Sequence, residues 1–115
     1  PLLATRATLD IARISLEDSL NMQRASFREI EWFLKTFDKL ARPIPYDVAG
    51  TNVPGLNLNI TFREAGHILG SASVDIVSDK SRVILSGDLG RPDSPILKYP
   101  FTAWPAGRPV DVVVM

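Results

Sequence analysis

The chain has 115 residues, of which 45% are hydrophobic and 23% charged, and its 13 basic side chains balance its 13 acidic ones. This composition is typical of a globular segment and excludes a disordered, collagen-like or strongly charged chain. Zero net charge gives no overall field that would attract nucleic acid or an anionic membrane, so a polyanion would need a local patch. Because the chain has no cysteine, disulfides and thiolate zinc sites are also excluded.

The first 40 residues are predicted to form two amphipathic helices. The first has Thr5 or Thr8 as its N-cap, and its apolar residues recur at intervals of three and four. They are Leu9, Ala12, Leu16 and Leu20. The second runs from about Ser26 to Leu40, begins with the capping-box pair Ser26 and Glu29, and ends before a proline. Both are expected to pack against a core.

The pattern changes to strands after Pro43. Residues 45–55 are rich in turn formers, and the next apolar residues alternate with polar ones, which predicts a strand with one buried face. They are Leu56, Leu58, Ile60 and Phe62. Ala72, Val74 and Ile76 predict a second strand, and residues 82–85 a third, so we expect an antiparallel meander. Residues 91–109 are predicted to be a long surface connection.

The last residues, 110–115, form an apolar run that predicts a buried strand with nothing after it to cap it. The first residue is proline rather than methionine. We therefore expect a fragment of a longer protein, incomplete at both ends, that could associate with other copies through open sheet edges. No signal peptide or membrane-spanning run is present, so a cytoplasmic protein with no membrane partner is expected. Helices followed by strands indicate the α+β class.

Two polar residues stand out in the strand region. His67, the only histidine, lies between Gly66 and Gly70 at a predicted strand junction, and Asp88 lies between Gly87 and Gly90 just after the third strand. Glycine at such places permits backbone angles or close approaches that other residues forbid. An isolated histidine or an aspartate in a turn is commonly structural, but these two could meet at one edge of a sheet.

Imidazole and carboxylate together suit zinc or another borderline divalent ion. Two ligands do not complete a zinc site, however, because zinc takes three or four protein ligands in most centres. With no further histidine and no cysteine in the chain, carboxylates or another segment would have to supply the rest. Arg63, Arg82 and Arg91 near the two positions could bind phosphate, although scattered arginines are usually solvated.

At these positions the sequence resembles the β-CASP group of metallo-β-lactamase-fold nucleases. The resemblance rests on residues 62–72, which read FREAGHILGSA, and on residues 86–91, which read SGDLGR. Three further segments occur in the same order in these RNA-processing enzymes, which are similar to the nuclease subunit of the cleavage and polyadenylation specificity factor. They are residues 4–19, 42–46 and 94–97.

The resemblance implies that residues 1–115 are the central part of a metallo-β-lactamase domain with an αββα sandwich fold. His67 would be a catalytic ligand of one zinc, and Asp88 the carboxylate that bridges two zinc ions holding a hydroxide for attack on RNA. The family's upstream His-x-His-x-Asp-His motif is absent, and its Glu-Ser-Thr-Tyr-Gly segment would begin after Met115. We therefore predict a zinc-dependent ribonuclease for the intact protein, and an inactive chain when these 115 residues stand alone.

Two other functions remain open. The chain could be a non-catalytic interaction module or truncated paralogue that binds a partner through its sheet edges. It could also belong to a hydrolase of the same fold that acts on a small ester or lactam. The stretch from Ile68 to Ser71 argues against the small-molecule hydrolase, since general hydrolases of the fold carry a different, threonine-containing stretch there.

Overall fold

The computed structural model describes residues 1–53, 55–100, 104 and 107–115. The chain divides into two compact units, Pro1–Pro43 and Ile44–Met115. The first unit contains β1 (Leu2–Ala4), α1 (Arg6–Met22), α2 (Phe27–Leu40) and β2 (Ala41–Pro43). The second contains β3 (Thr51–Asn52), β4 (Leu58–Glu64), β5 (Ala72–Ser78), β6 (Arg82–Leu85) and β7 (Val112–Val114). The α+β class is therefore confirmed, while the αββα sandwich and the single-domain assignment stay predictions.

Both helices of the first unit begin where their caps predict. Thr5 caps α1 by accepting a hydrogen bond from the Thr8 backbone, and Ser26 and Glu29 form a complete capping box on α2. Within the helices only Leu9, Leu34 and Phe37 are buried. Neither helix in the described residues is long and apolar enough to cross a membrane.

The capping box makes the stability of α2 sensitive to pH. Hydrogen bonds from the Ser26 hydroxyl and backbone lower the pKa of Glu29. Because the pKa is lower in the folded state, this stabilisation is present above the ordinary glutamate pKa of about 4.3 and is lost as pH falls through the folded value. We expect Glu29→Gln to melt at a lower temperature than wild type at pH 7. The difference between the two melting temperatures should become smaller below about pH 4. A gap that stayed constant across this range would contradict the prediction.

The first unit also contains a pairing that the sequence did not predict. Strands β1 and β2 run parallel, with Leu2 opposite Ala41 and Ala4 opposite Pro43. Each strand has three residues, which is too short to show a period in the sequence. The pairing joins the two ends of the helical hairpin.

The second unit is built on a five-stranded sheet in the order β3-β4-β5-β6-β7. The meander β4-β5-β6 is antiparallel as predicted, β3 adds to it antiparallel, and β7 pairs parallel to β6. The end of β4, the start of β5 and the end of β6 consequently lie side by side at the same end of the sheet. Residues 91–100, 104 and 107–109 contain no helix or strand, and the remainder of the predicted connection lies outside the described residues.

Leu56 and the run 110–115 differ from their predictions. Leu56 is exposed and lies before β4, which begins at Leu58. The run 110–115 is not buried, because β7 is an edge strand of the described sheet and its three valines are about half exposed. The turn-rich residues 45–55 also contain β3 and a bridge from Tyr46 to Phe62.

The polar face of β4 is also buried, contrary to the prediction of a single buried face. Thr61 and Arg63 are each 8% exposed, as little as the apolar Ile60 and Phe62 beside them. The neighbouring strands continue this face with Ser73, Asp75 and Arg82, all buried. Alternation in the sequence shows which residues share a face, but it cannot show whether polar residues on that face satisfy one another.

A bidentate ion pair explains how charges are accommodated there. The Arg82 Nε and Nη2 atoms donate to the two Asp75 carboxylate oxygens at 3.0 and 2.7 Å, and both side chains are less than a tenth exposed. These hydrogen bonds raise the pKa of Arg82. Arg63 pairs with Asp47 at 3.0 Å. Arg63 and Arg82, considered above as phosphate ligands, are therefore occupied within the fold.

Candidate functional site

His67 and Asp88 lie close together at the end of the sheet where β4 ends and β5 begins. The His67 Nε2 atom lies 3.8 Å from the Asp88 Oδ2 atom, and the two side chains are 45% and 88% exposed. His67 lies in the loop of residues 65–71, which we call the histidine loop, and Asp88 in residues 86–90, the aspartate loop. The topology brings the loops together because β5 lies between β4 and β6 and is antiparallel to both.

The two loops are joined through their backbones. The Gly90 amide donates to the Ala65 carbonyl at 2.8 Å. At the start of the aspartate loop, the buried Ser73 hydroxyl at the beginning of β5 donates to the Ser86 carbonyl at 2.7 Å. These hydrogen bonds hold the backbones of the two loops close to each other.

Gly66 and Gly90 have no room for a side chain. Gly66 has φ +64°, and a Cβ atom there would lie 2.7 Å from the Lys98 carbonyl oxygen. A Cβ atom on Gly90 would lie only 1.6 Å from the Gly66 carbonyl oxygen. The space between the loops therefore admits backbone atoms but not a methyl group.

The Gly90→Ala substitution should consequently force the two loops apart. We expect it to lower the free energy of unfolding by about 1–3 kcal/mol, the usual cost of overpacking, as measured by urea denaturation. Gly107→Ala is the matched control, because a Cβ there meets no described atom within 4 Å. Equal stabilities for the two variants would show that the loops can separate without cost.

A cleft of ≈ 500 Å³ opens beside His67. Its lining brings together residues of both loops and the segment that follows the aspartate loop. They are Gly66, His67, Leu89, Gly90, Arg91, Asp93, Ser94 and Pro95. Of the three arginines considered for phosphate binding, Arg91 alone lines this cleft, and it is exposed.

The donor atoms fit zinc but do not complete a site. An imidazole nitrogen and a carboxylate oxygen are normal zinc donors, and two donors on a tetrahedral ion lie about 3.3 Å apart, close to the distance found here. Both side chains are accessible from solvent. Among the described residues, however, no group of three or more His, Cys, Asp or Glu side chains could hold a metal ion. Further ligands would have to come from outside this set.

The sequence predicts no individual role at this site for Tyr46 or Ser71, although both lie in segments that carry the family resemblance. Ser71 ends the histidine loop and makes hydrogen bonds within it, and the Tyr46 hydroxyl donates to the Ser71 carbonyl at 2.9 Å. A serine in a glycine-containing turn is a known turn-forming signal, which could have indicated Ser71. Tyr46 lies 25 positions earlier, and no local pattern connects it to the loop.

Comparison with known proteins shows a similarity to a protein named as a ribonuclease. The chain is 34% identical over 100 residues to a protein of Thermus thermophilus named ribonuclease TTHA0252. The match covers 87% of this chain but 22% of the relative, so the chain spans about a fifth of that protein's length. No family model matches the chain. The similarity is consistent with a nuclease family.

Proposed function

We propose that this chain forms part of a zinc-dependent ribonuclease site in which His67 and Asp88 are metal ligands. The observation that carries the proposal is the 3.8 Å approach of the imidazole and carboxylate at an open cleft. Similarity to a protein named ribonuclease supports RNA as the substrate. The resemblance to β-CASP nucleases supports two zinc ions and a metallo-β-lactamase fold.

The roles of the chain's residues follow from their chemistry. Neutral imidazole at His67 offers a nitrogen lone pair, whereas Asp88 brings a negative charge that offsets repulsion between neighbouring cations. Zinc bound there would supply Lewis acidity and a nucleophile available at neutral pH. Arg91, which lines the cleft, would hold a phosphate of the RNA by charge-assisted hydrogen bonds.

The proposal is tested by assaying the natural full-length protein on labelled RNA, matched DNA and a thioester. RNA cleavage that is lost on chelation and restored by zinc is expected. Cleavage that persists after complete metal removal would contradict the zinc proposal. Turnover of the thioester but not RNA would instead favour the small-molecule hydrolase.

Arg91→Gln should weaken RNA binding without disturbing the fold. We expect KM for RNA to rise about tenfold with little change in kcat, because a hydrogen bond to a charged group contributes about 1.5 kcal/mol or more. Lys80→Gln is the control, since Lys80 is an exposed cation in the turn at the far end of β5. Equal KM values for the two variants would show that Arg91 does not contribute to RNA binding.

A non-catalytic interaction module is the second candidate function. It is favoured by β7, whose half-exposed valines form an edge of the described sheet. An exposed apolar edge strand is a site for pairing with another chain. Light scattering that shows a monomer, together with RNA cleavage by the same sample, would exclude this alternative.

A further inference from the structure

The backbone of the histidine loop is held by hydrogen bonds to one residue, Ser71. The Ser71 Oγ atom accepts hydrogen bonds from the His67 amide at 3.1 Å and the Ile68 amide at 3.2 Å. The Ser71 amide in turn donates to the Ile68 carbonyl at 3.0 Å. Ser71 therefore contacts the backbone on both sides of the His67–Ile68 peptide.

Ser71 is itself held by residues outside the loop. Its carbonyl accepts hydrogen bonds from the Ala65 amide at 3.3 Å and from the Tyr46 hydroxyl at 2.9 Å. The Tyr46 backbone is anchored on β4 by its bridge to Phe62, and the next amide, that of Asp47, donates to the Phe62 carbonyl. A continuous series of hydrogen bonds thus connects the sheet to His67.

We propose that Ser71 and Tyr46 are positioning residues for His67, fixing the backbone from which the imidazole projects toward Asp88. The proposal rests on the proposed function only for its consequence, which is tight binding of zinc. Neither residue would touch metal or RNA.

The loop needs such support because its other features favour mobility. Gly66 and Gly70 both have positive φ, at +64° and +91°, and glycine loses more conformational freedom on ordering than any other residue. The three residues between them are exposed, so little burial holds the loop in place. The position of the His67 backbone is consequently set by hydrogen bonds to Ser71. We expect the loss of this support to weaken metal binding about tenfold, the lower end of the effect of groups that orient a metal ligand.

The test compares Ser71→Ala, Ser71→Thr and Tyr46→Phe in the natural full-length protein. Hydrogen exchange of the peptide containing residues 66–69, without added metal, reports whether the loop opens, and competition with a chromophoric chelator reports zinc affinity. Ser78→Ala is a matched control, because the Ser78 hydroxyl likewise accepts from two backbone amides, Lys80 and Ser81, in the turn at the far end of β5. The exposed Tyr99 provides the second control as Tyr99→Phe.

We expect Ser71→Ala to exchange about fivefold faster in this peptide, as loss of a hydrogen bond of about 1 kcal/mol predicts, and to bind zinc about tenfold more weakly. Tyr46→Phe should also speed exchange in this peptide and weaken zinc binding. Ser71→Thr keeps the hydroxyl, so its exchange rate and zinc affinity should be close to those of wild type. The controls should leave both unchanged.

The outcomes separate this inference from the proposed function. Wild-type exchange and zinc affinity in both Ser71→Ala and Tyr46→Phe would overturn the positioning role. Faster exchange in a protein whose wild-type form binds no zinc would overturn the zinc site and leave the positioning of His67 supported. If Ser71→Ala does not fold, the comparison of Tyr46→Phe with Tyr99→Phe decides.

Discussion

Replacing His67 or Asp88 by alanine in the natural protein should reduce RNA cleavage about a thousandfold or more. Changing residues that only orient a metal ligand costs about 10–100-fold, so removing a ligand should cost more. Both side chains are substantially exposed, at 45% and 88%, and neither substitution leaves a buried cavity. The loss of activity should therefore occur without loss of the folded structure.

The matched control for Asp88→Ala is Asp93→Ala. Asp93 is also an exposed carboxylate, and it lines the cleft beside His67. Cleavage rates should be measured with saturating zinc, and circular dichroism should show that all variants are folded. Activity within a few-fold of wild type in either His67→Ala or Asp88→Ala would refute the assignment, as would an equal loss in Asp93→Ala.

The sequence predicts what depends on local chemistry. The capping box of Ser26 and Glu29 involves residues three positions apart, and the alternation in β4 and β5 is a property of each strand alone. His67 and Asp88 were identified because glycines beside a polar residue at a strand end are a local signal. Their proximity also follows from the antiparallel meander, because the end of β4 and the end of β6 lie at the same end of the sheet.

Features that depend on distant partners could not be predicted in this way. The β1–β2 pair joins residues about 40 positions apart, and the hydrogen bond from Tyr46 to Ser71 spans 25. The buried polar face was missed because Asp75 and Arg82 have the polarity of a solvent-facing position. Their burial depends on the ion pair between them, and that pair can be predicted only from the register between β5 and β6.

The pair of Asp75 and Arg82 should in turn be the most sensitive point for stability in the sheet. Asp75→Ala would leave the Arg82 guanidinium buried without its carboxylate, and we expect a loss of about 3–5 kcal/mol in the free energy of unfolding. Chemical denaturation should show this as a large fall in the midpoint. The ion pair of Arg6 and Asp10 provides the control, because both side chains are more than half exposed. Asp10→Ala should leave the midpoint close to that of wild type.

The double variant Asp75→Ala, Arg82→Met distinguishes pairing from simple packing. Since the double variant has no uncompensated charge, it should be more stable than Asp75→Ala alone, although it also loses the hydrogen bond from Arg82 to the Arg108 carbonyl. A double variant less stable than either single variant would show that the side chains act through packing. The outcome bears on the site as well, because the pair joins β5 and β6, the strands that lead directly from the histidine loop and into the aspartate loop.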